Sequence, residues 1–407
     1  MALQLFNTAT RAMETLSPAD GRIRMYVCGP TPYHYSHLGH AKAYVAADVI
    51  RRYLEYHELE TQVVVNFTDV EDAITIRAGK EGVSPEALAQ RYIDAFLEDM
   101  DRLKVRRADV YPRVTEHIED IQVVVQDLVE SGAAYVVDGD VYLRAAEEDY
   151  GRLSGQSPGE VVVEQIQGGG GREGPLDFAL WKRSRKGEPA WESPWGPGRP
   201  GWHVECYTMS TKYLGRGFDL HGGGRDLIFP HHESEDLIAA AHGKGPFVRQ
   251  WFHNAFMTIE DERMAKSLGN FVTIRDVLRD VDWEVLRFFL LKTHYRANST
   301  YTEVALREAE KEHAEIRSAI VRLRTASESD RPGRDDALET AATRMQERFE
   351  EAMDADIDTK QATEIVLAMA REVNEADPPP ASTADAVFTQ FCEVCSVLGL
   401  CEEEFED

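Results

Sequence analysis

His37 and His40 bracket Leu38 and Gly39 at the point where an apolar, strand-like run hands over to a helical pattern. A helix start presents backbone N–H groups and the positive end of a dipole, which favour anions. Two imidazoles beside it could reach a triphosphate, and Gly39 would let a nucleotide approach the backbone closely. The same four residues also fit two exposed histidines at an ordinary helix start. Far downstream, RMAKSLGN carries Lys266 and Ser267 in a Gly- and Ser-containing loop. A lysine there could neutralise phosphate charge that develops during transfer; read alone, Arg263 and Lys266 fit solvated loop charges as well.

A second chemistry is metal ligation. In PHHESEDLIAAA, His231 and Glu235 are four residues apart and share one helix face, half of a tetrahedral site. Cys28 and Cys206, expected at separate strand ends, would complete a Cys2HisGlu set suited to Zn2+. On spacing alone these ligands are scattered, and two buried thiols with an unrelated His and Glu fit at least as well.

The elements that must position these residues follow an α/β pattern. RIRMYVC (22–28) reads as a buried strand, CGPTPY as a turn, the chain to about Glu55 as an amphipathic helix, and TQVVVNF as a second strand ending at Phe67. That is the strand, crossover helix, parallel strand unit of a doubly wound sheet. Helical periodicity runs from a Ser84 N-cap, with Pro85 at the first helical position, to about Leu103, and again over 115–131. AAYVVDGDVYLRA predicts a hairpin around Asp138, Gly139 and Asp140. A Gly-rich stretch, Gly168 to Gly171, follows. One globular insertion is expected to interrupt the sheet, which resumes near Gly201, with a short strand over Phe218 to His221. From Asp282 onward nearly everything reads as helix.

Of 407 residues, 45 are Lys or Arg and 72 are Asp or Glu, a formal net charge of −27. This repels nucleic acid at long range, so an RNA partner needs a local basic patch. Neither DNA nor a membrane is an expected partner. Acidic composition with Lys scarce relative to Arg suits high salt, where screening shortens repulsion to about 3 Å at 1 M. Hydrophobic residues make up 43% of the chain, enough for packed cores, and five scattered cysteines do not form a disulfide framework. No run nears the roughly 18 to 20 apolar residues of a membrane span. MALQLFNTAT lacks the basic start and apolar stretch of a signal peptide. A cytoplasmic, salt-adapted protein is expected.

HLGH and RMAKS, in this order and flanking such a sheet, resemble the HIGH and KMSKS signatures of class I aminoacyl-tRNA synthetases. MYVCGPT, GWHVEC, HGGGRDLIFPHHESE and RMAKSLGNF resemble the cysteinyl-tRNA synthetase family in particular. The likeness continues through NFTDVED, YGRLSGQ, DFALWK, WESPWGPGRPGWH and AMDADIDTKQA, covering roughly residues 20–400. It implies an α/β fold: a Rossmann-type parallel sheet in two halves (1–114 and 196–256), an inserted connective domain (115–195), a stem-contact region with the KMSKS-like loop (257–300) and an all-helical C-terminal domain (301–407).

The resemblance also implies one Zn2+ on Cys28, Cys206, His231 and Glu235, and ATP with Mg2+ as substrate. His37, His40 and Lys266 would act on the phosphates, with Gly39 and Ser267 beside them. Gly222, Gly223 and Asp226 would hold the ribose and adenosine side, and Thr68 and Trp202 would line the cysteine pocket. The implied reaction is attack of the cysteine carboxylate on the α-phosphate of ATP, giving cysteinyl adenylate and pyrophosphate, then transfer to tRNA(Cys). Two thiolates, a carboxylate and a neutral imidazole leave the zinc site near −1. An open position would still take a thiolate far better than the hydroxyl of serine, a discrimination that editing supplies elsewhere.

Departures from the family pattern are few. Arg263 and Ala265 replace the first Lys and Ser of KMSKS, His40 replaces the usual Asn, Ala73 stands where Lys is common, and His34 where Asp is common. The sequence ends at SVLGLCEEEFED, where these synthetases add a small anticodon-binding domain. The ATP-dependent ligase that couples cysteine to the glucosaminyl inositol precursor of mycothiol is similar in lacking that domain and the Lys at position 73. A ligase for a small amine, or a silent nucleotide-binding relative, are therefore the alternatives. Cys392 and Cys395 are expected as packing thiols, His253 as structural, and Trp191 and Trp195 as loop packing. His232 and Glu233 neighbour the implied ligands without an assigned role. Arg307, Lys311, Arg317, Arg322 and Arg324 form either a positive stripe or a salt-bridged face.

Overall fold

The computed structural model describes residues 3–18, 20–156, 171–185, 187–259, 262–263 and 271–401. Lys266 and Ser267, with Ala265 and Gly168 to Gly170, lie outside the described residues.

A short hairpin, β1 (Gln4–Asn7) and β2 (Ala12–Thr15), precedes β3 (Arg22–Val27). Helix α1 (Leu38–Tyr56) crosses to β4 (Glu60–Val65), which pairs in parallel with β3 from Arg22↔Glu60 to Val27↔Val65. Next come α2 (Asp72–Glu81) and α3 (Pro85–Arg102). The Ser84 hydroxyl caps α3 by accepting from the Ala87 N–H, with Pro85 at the first position as its fixed φ favours. Helix α4 (Ile118–Glu130) leads into an antiparallel sheet of β5 (Ala134–Val137), β6 (Asp140–Leu143), β7 (Phe178–Arg183) and β8 (Gly198–Pro200). Its first turn holds Asp138 and Gly139 at φ 52° and 92°, the left-handed pair of a tight hairpin.

Helix α5 (Trp202–Leu214), β9 (Phe218–Gly224), α6 (Glu233–His242) and β10 (Val248–Asn254) return the chain to the first sheet, whose order is β10-β9-β3-β4, parallel throughout. Such a sheet is buried on both faces. Met25, Val27, Val63 and Val65 enter one apolar cluster, whereas Tyr26, Val64, Phe218 and Trp251 enter the other. Strands β11 (Met257–Ile259) and β12 (Glu262–Arg263), helices α7 (Ile274–Val277) and α8 (Trp283–Leu291), and β13 (Ser299–Tyr301) follow, the three strands forming a small sheet in the order β12-β11-β13. The chain closes with α9 (Glu303–Ser327), α10 (Asp336–Asp354), α11 (Thr359–Glu375) and α12 (Ala381–Val397).

Cys206 lies within α5 rather than at a strand end. His203 to Ser210 are all buried, so these two turns have no solvent face and no amphipathic period to reveal them. The strand expected over Phe218 to His221 runs on to Gly224. Strand β10 was hidden by buried polar residues, Gln250, His253 and Asn254, which break any apolar run. The cations of α9 do not form a free stripe: Arg307 pairs with Glu310 and Arg317 with Glu284, Arg322 donates to the Ala376 carbonyl, and Arg324 lies over the Phe388 ring. Cys392 and Cys395 are buried inside the α9–α12 packing, as thiols that fill space.

Candidate active site and metal centre

Ligands of open α/β sheets bind outside the carboxyl ends of the strands, where the strand order reverses. Here that point is β3, the first strand, flanked by β4 on one side and β9 on the other. A cavity of about 270 Å³ opens there, lined by Cys28 beyond β3, Thr68 beyond β4, Gly223 and Gly224 of β9, and Asn254 of β10. His37, Gly39, His40, Trp202, Cys206, Asp226, His231, Phe256 and Met257 also line it. Gly222 does not line it. A Cβ there would lie 2.1 Å from the Phe252 ring, so its role is close packing between β9 and β10.

On the nucleotide side, His37 is the N-cap of α1. Its Nδ1 accepts from the His40 N–H at 3.2 Å, and the His40 Nδ1 accepts from the His37 N–H at 3.2 Å. The rings stack with centroids 3.8 Å apart. Because both Nδ1 atoms accept, each neutral ring carries its proton on Nε2. The helix start is less open than the sequence predicts, since the Leu38 N–H is taken by the Val272 carbonyl at 3.2 Å. That contact is informative: Phe271, the last residue of RMAKSLGNF, packs edge-on to His37 at 5.1 Å, so that segment ends against the HLGH turn.

On the other side, Cys28, Cys206, His231 and Glu235 offer ligand atoms within 4.8 Å of one another, all buried. The His231 Nε2 is 3.1 Å from the Glu235 Oε1, and the Cys28 Sγ is 3.7 Å from the same oxygen. Burial pushes the Cys28 thiol and the Glu235 carboxyl well above their ordinary pKa, and pushes His231 below its own. Two thiols and a carboxyl crowded away from water are costly to ionise unless a cation compensates, and a neutral imidazole is the form that ligates. The residues present therefore fit a soft, tetrahedral divalent ion such as Zn2+. A second set, Cys28, His221, His232 and Glu235, overlaps the first. It lacks a second thiol, and neither His221 nor His232 reaches the cavity wall, whereas Cys28, Cys206 and His231 do.

The surroundings were only partly legible. Asn66 is completely buried; its Oδ1 accepts from the Gly29 N–H at 2.8 Å and sits 3.7 Å from the Cys206 Sγ, while its Nδ2 donates to Thr68 at 3.2 Å. Gly29 is required, because a Cβ would fall 1.5 Å from the Asn66 carbonyl oxygen. His203 brings its Nδ1 to 3.0 Å from the His231 Nδ1; its spacing from Cys206, one helical turn, was the available signal. His232 has its Nε2 3.2 Å from the Cys28 Sγ and its Nδ1 2.7 Å from His253, which meets Thr8 at 2.8 Å. Glu233 points elsewhere and accepts from the Leu153 and Ser154 N–H groups. Trp191 bridges to Gly198 and Trp195 packs on Trp181, both in the antiparallel insertion.

Comparison with known proteins agrees with this geometry. Residues 15–311 match the family described as the class I (C) tRNA synthetase catalytic domain, and residues 348–402 match the DALR domain. A cysteine–tRNA ligase of Thermococcus onnurineus is 45% identical over 100% of this chain and 88% of its own length; that of Moorella thermoacetica is 44% identical over 100% and 89%. The chain belongs to the cysteine–tRNA ligase family. The family's α/β fold is shared more widely: a Mycobacterium tuberculosis methionyl-tRNA synthetase in complex with methionyl-adenylate superposes with a TM-score of 0.68 over 93% of this chain and 89% of its own, at 17% identity. At that identity the likeness speaks for the fold alone. Among the described residues no helix is long and apolar enough to cross a membrane.

Proposed function

We propose that this cysteine–tRNA ligase family member activates L-cysteine with ATP and passes the cysteinyl group to tRNA(Cys). The observation that carries the reading is the set of four buried donors, Cys28, Cys206, His231 and Glu235, of which the first three line the same cavity as the HLGH helix start. Zn2+ on those four residues would supply an electrophile that prefers a thiolate to a hydroxyl.

The remaining chemistry belongs to the chain. Trp202, stacked on His231 with centroids 4.2 Å apart, and Thr68 would close around the amino acid. His37 and His40 would donate from Nε2 to phosphate oxygens, while Gly223 and Asp226 hold the ribose side and Gly39 admits the phosphates. Lys266, with Ser267, would neutralise charge on the leaving phosphates, with Mg2+ accompanying ATP. The cysteine carboxylate forms a bond to the α-phosphorus as the bond to pyrophosphate breaks; no side-chain nucleophile is needed, so catalysis is positioning and charge stabilisation. The net charge of −27 supports a salt-adapted enzyme.

Cysteine-dependent exchange of pyrophosphate into ATP, and charging of tRNA(Cys) with labelled cysteine in low and high salt, test the reading. Both are expected. Exchange without charging would move the acceptor to a small amine, and absence of exchange in both low and high salt would refute activation altogether.

A further inference from the structure

Lys42 lies in the second turn of α1, two residues past the HLGH string, and is 2% exposed, an uncommon place for an ammonium group. Its Nζ donates to the Ala297 carbonyl at 2.5 Å and to the Ser299 Oγ at 3.1 Å, and reaches the Phe256 carbonyl at 3.5 Å. These acceptors are all neutral, and among the described residues no carboxylate forms an ion pair with it.

The groups around it define what it does. Arg225, just beyond β9, is the cation that faces it, and it too holds the loop after α8, donating to the Arg296 carbonyl at 2.9 Å. Tyr295 shares a small cleft with Lys42 and gives its hydroxyl to the Asp356 carboxylate at 2.7 Å. The HLGH helix and the turn beyond β9 thus both grip residues 296–299, at the Arg296 and Ala297 carbonyls and the Ser299 hydroxyl. That segment enters β13, which pairs with β11 from Met257↔Ser299 to Ile259↔Tyr301. Phe256 and Met257 line the same cavity as His37 and His40, and β11 precedes RMAKSLGN in the chain.

We propose that Lys42 is a positioning residue for the nucleotide, its ammonium group fixing the Phe256–Met257 wall of the cavity against the HLGH helix start. This rests on the reading of that cavity as the ATP site. The three acceptors come from two segments far apart in sequence, and a charged donor to neutral carbonyls makes stronger bonds than a neutral one. Burial, then Arg225, lower the Lys42 pKa to about 8. The charged grip is therefore complete near neutrality and is lost as pH rises through that value.

ATP binding measured by equilibrium dialysis without cysteine, at several pH values, tests the inference on wild type, Lys42→Met and Lys42→Arg. Wild type is expected to lose ATP affinity between about pH 7.5 and 9, whereas Lys42→Arg keeps it, because arginine stays charged. Lys42→Met is expected to bind ATP about tenfold more weakly at neutral pH, with the KM for cysteine in pyrophosphate exchange unchanged. A flat wild-type profile overturns the proposal, as does a profile that Lys42→Arg shares. So does a Lys42→Met protein that melts at a lower temperature but binds ATP as wild type does. Should Lys42→Met not fold, the wild-type profile decides. ATP binding with the expected profile but no cysteine-dependent exchange would support this role while refuting cysteine activation.

Discussion

The Nε2 of His221 lies 2.9 Å from the Oε2 of Glu235, with both side chains wholly removed from solvent. Glu235 turns its other oxygen to His231, so one carboxylate joins a proposed metal ligand to a histidine locked inside β9. Partners of this kind orient a ligand and typically carry 10- to 100-fold of metal affinity. His221→Ala is expected to weaken zinc binding by about that factor, read by competition with a chelator. Unchanged affinity would mean that Glu235 needs no such support.

Trp202 covers the His231 ring at an interplanar angle of 22° and faces the cavity. Removing it takes away stacking and an apolar wall. Trp202→Ala is expected to raise the KM for cysteine about tenfold, with ATP affinity unaltered. A change confined to ATP would place Trp202 on the wrong substrate.

How much of this was legible follows from the physics of each residue. The β3–α1–β4 unit was readable because a parallel sheet needs apolar runs, although α1 itself is buried or half-buried along its whole length and lacks the exposed face expected of it. The metal set was assembled from a resemblance, since ligands spread over 207 positions have no spacing to read, and Cys206 sits on two helical turns buried on every side. Asn66 and His203 escaped notice because a buried polar residue looks like a loop residue until its partners are known. Strands β11 to β13 escaped because two or three residues carry no period.

His313 of α9 is buried against Phe288, and burial, aided by Arg317, lowers its pKa to about 4; the opposing pull of Asp282 does not reverse this. The unfolded chain takes up that proton near pH 6.5, whereas the folded chain resists it until about pH 4. The contribution is complete above 6.5 and is lost as pH falls toward 4, by up to about 3 kcal/mol. His313→Gln should flatten stability over that range in urea titrations at stepped pH. An unaltered slope would assign the pH dependence elsewhere.

Asp48 of α1 is shared by two buried cations, the Arg52 Nε at 2.7 Å and the Arg287 guanidinium. Arg287 also donates to the Leu398 carbonyl at 2.7 Å and the Leu103 carbonyl at 3.0 Å, tying the HLGH helix to the end of the helical domain. Asp48→Asn removes the buried carboxylate that the two cations share and should cost about 3 to 5 kcal/mol of unfolding free energy. Glu60→Gln, which breaks the exposed Arg22 pair, should cost far less, because water and salt screen that pair. Equal losses at the two sites would contradict the weight placed on burial.

Recognition of sulfur by an ion on Cys28, Cys206, His231 and Glu235 is tested most directly by the metal content of the purified chain. The prediction is one zinc per wild-type chain, with Cys206→Ser falling well below it. Wild-type protein that activates cysteine while holding no zinc would contradict the account.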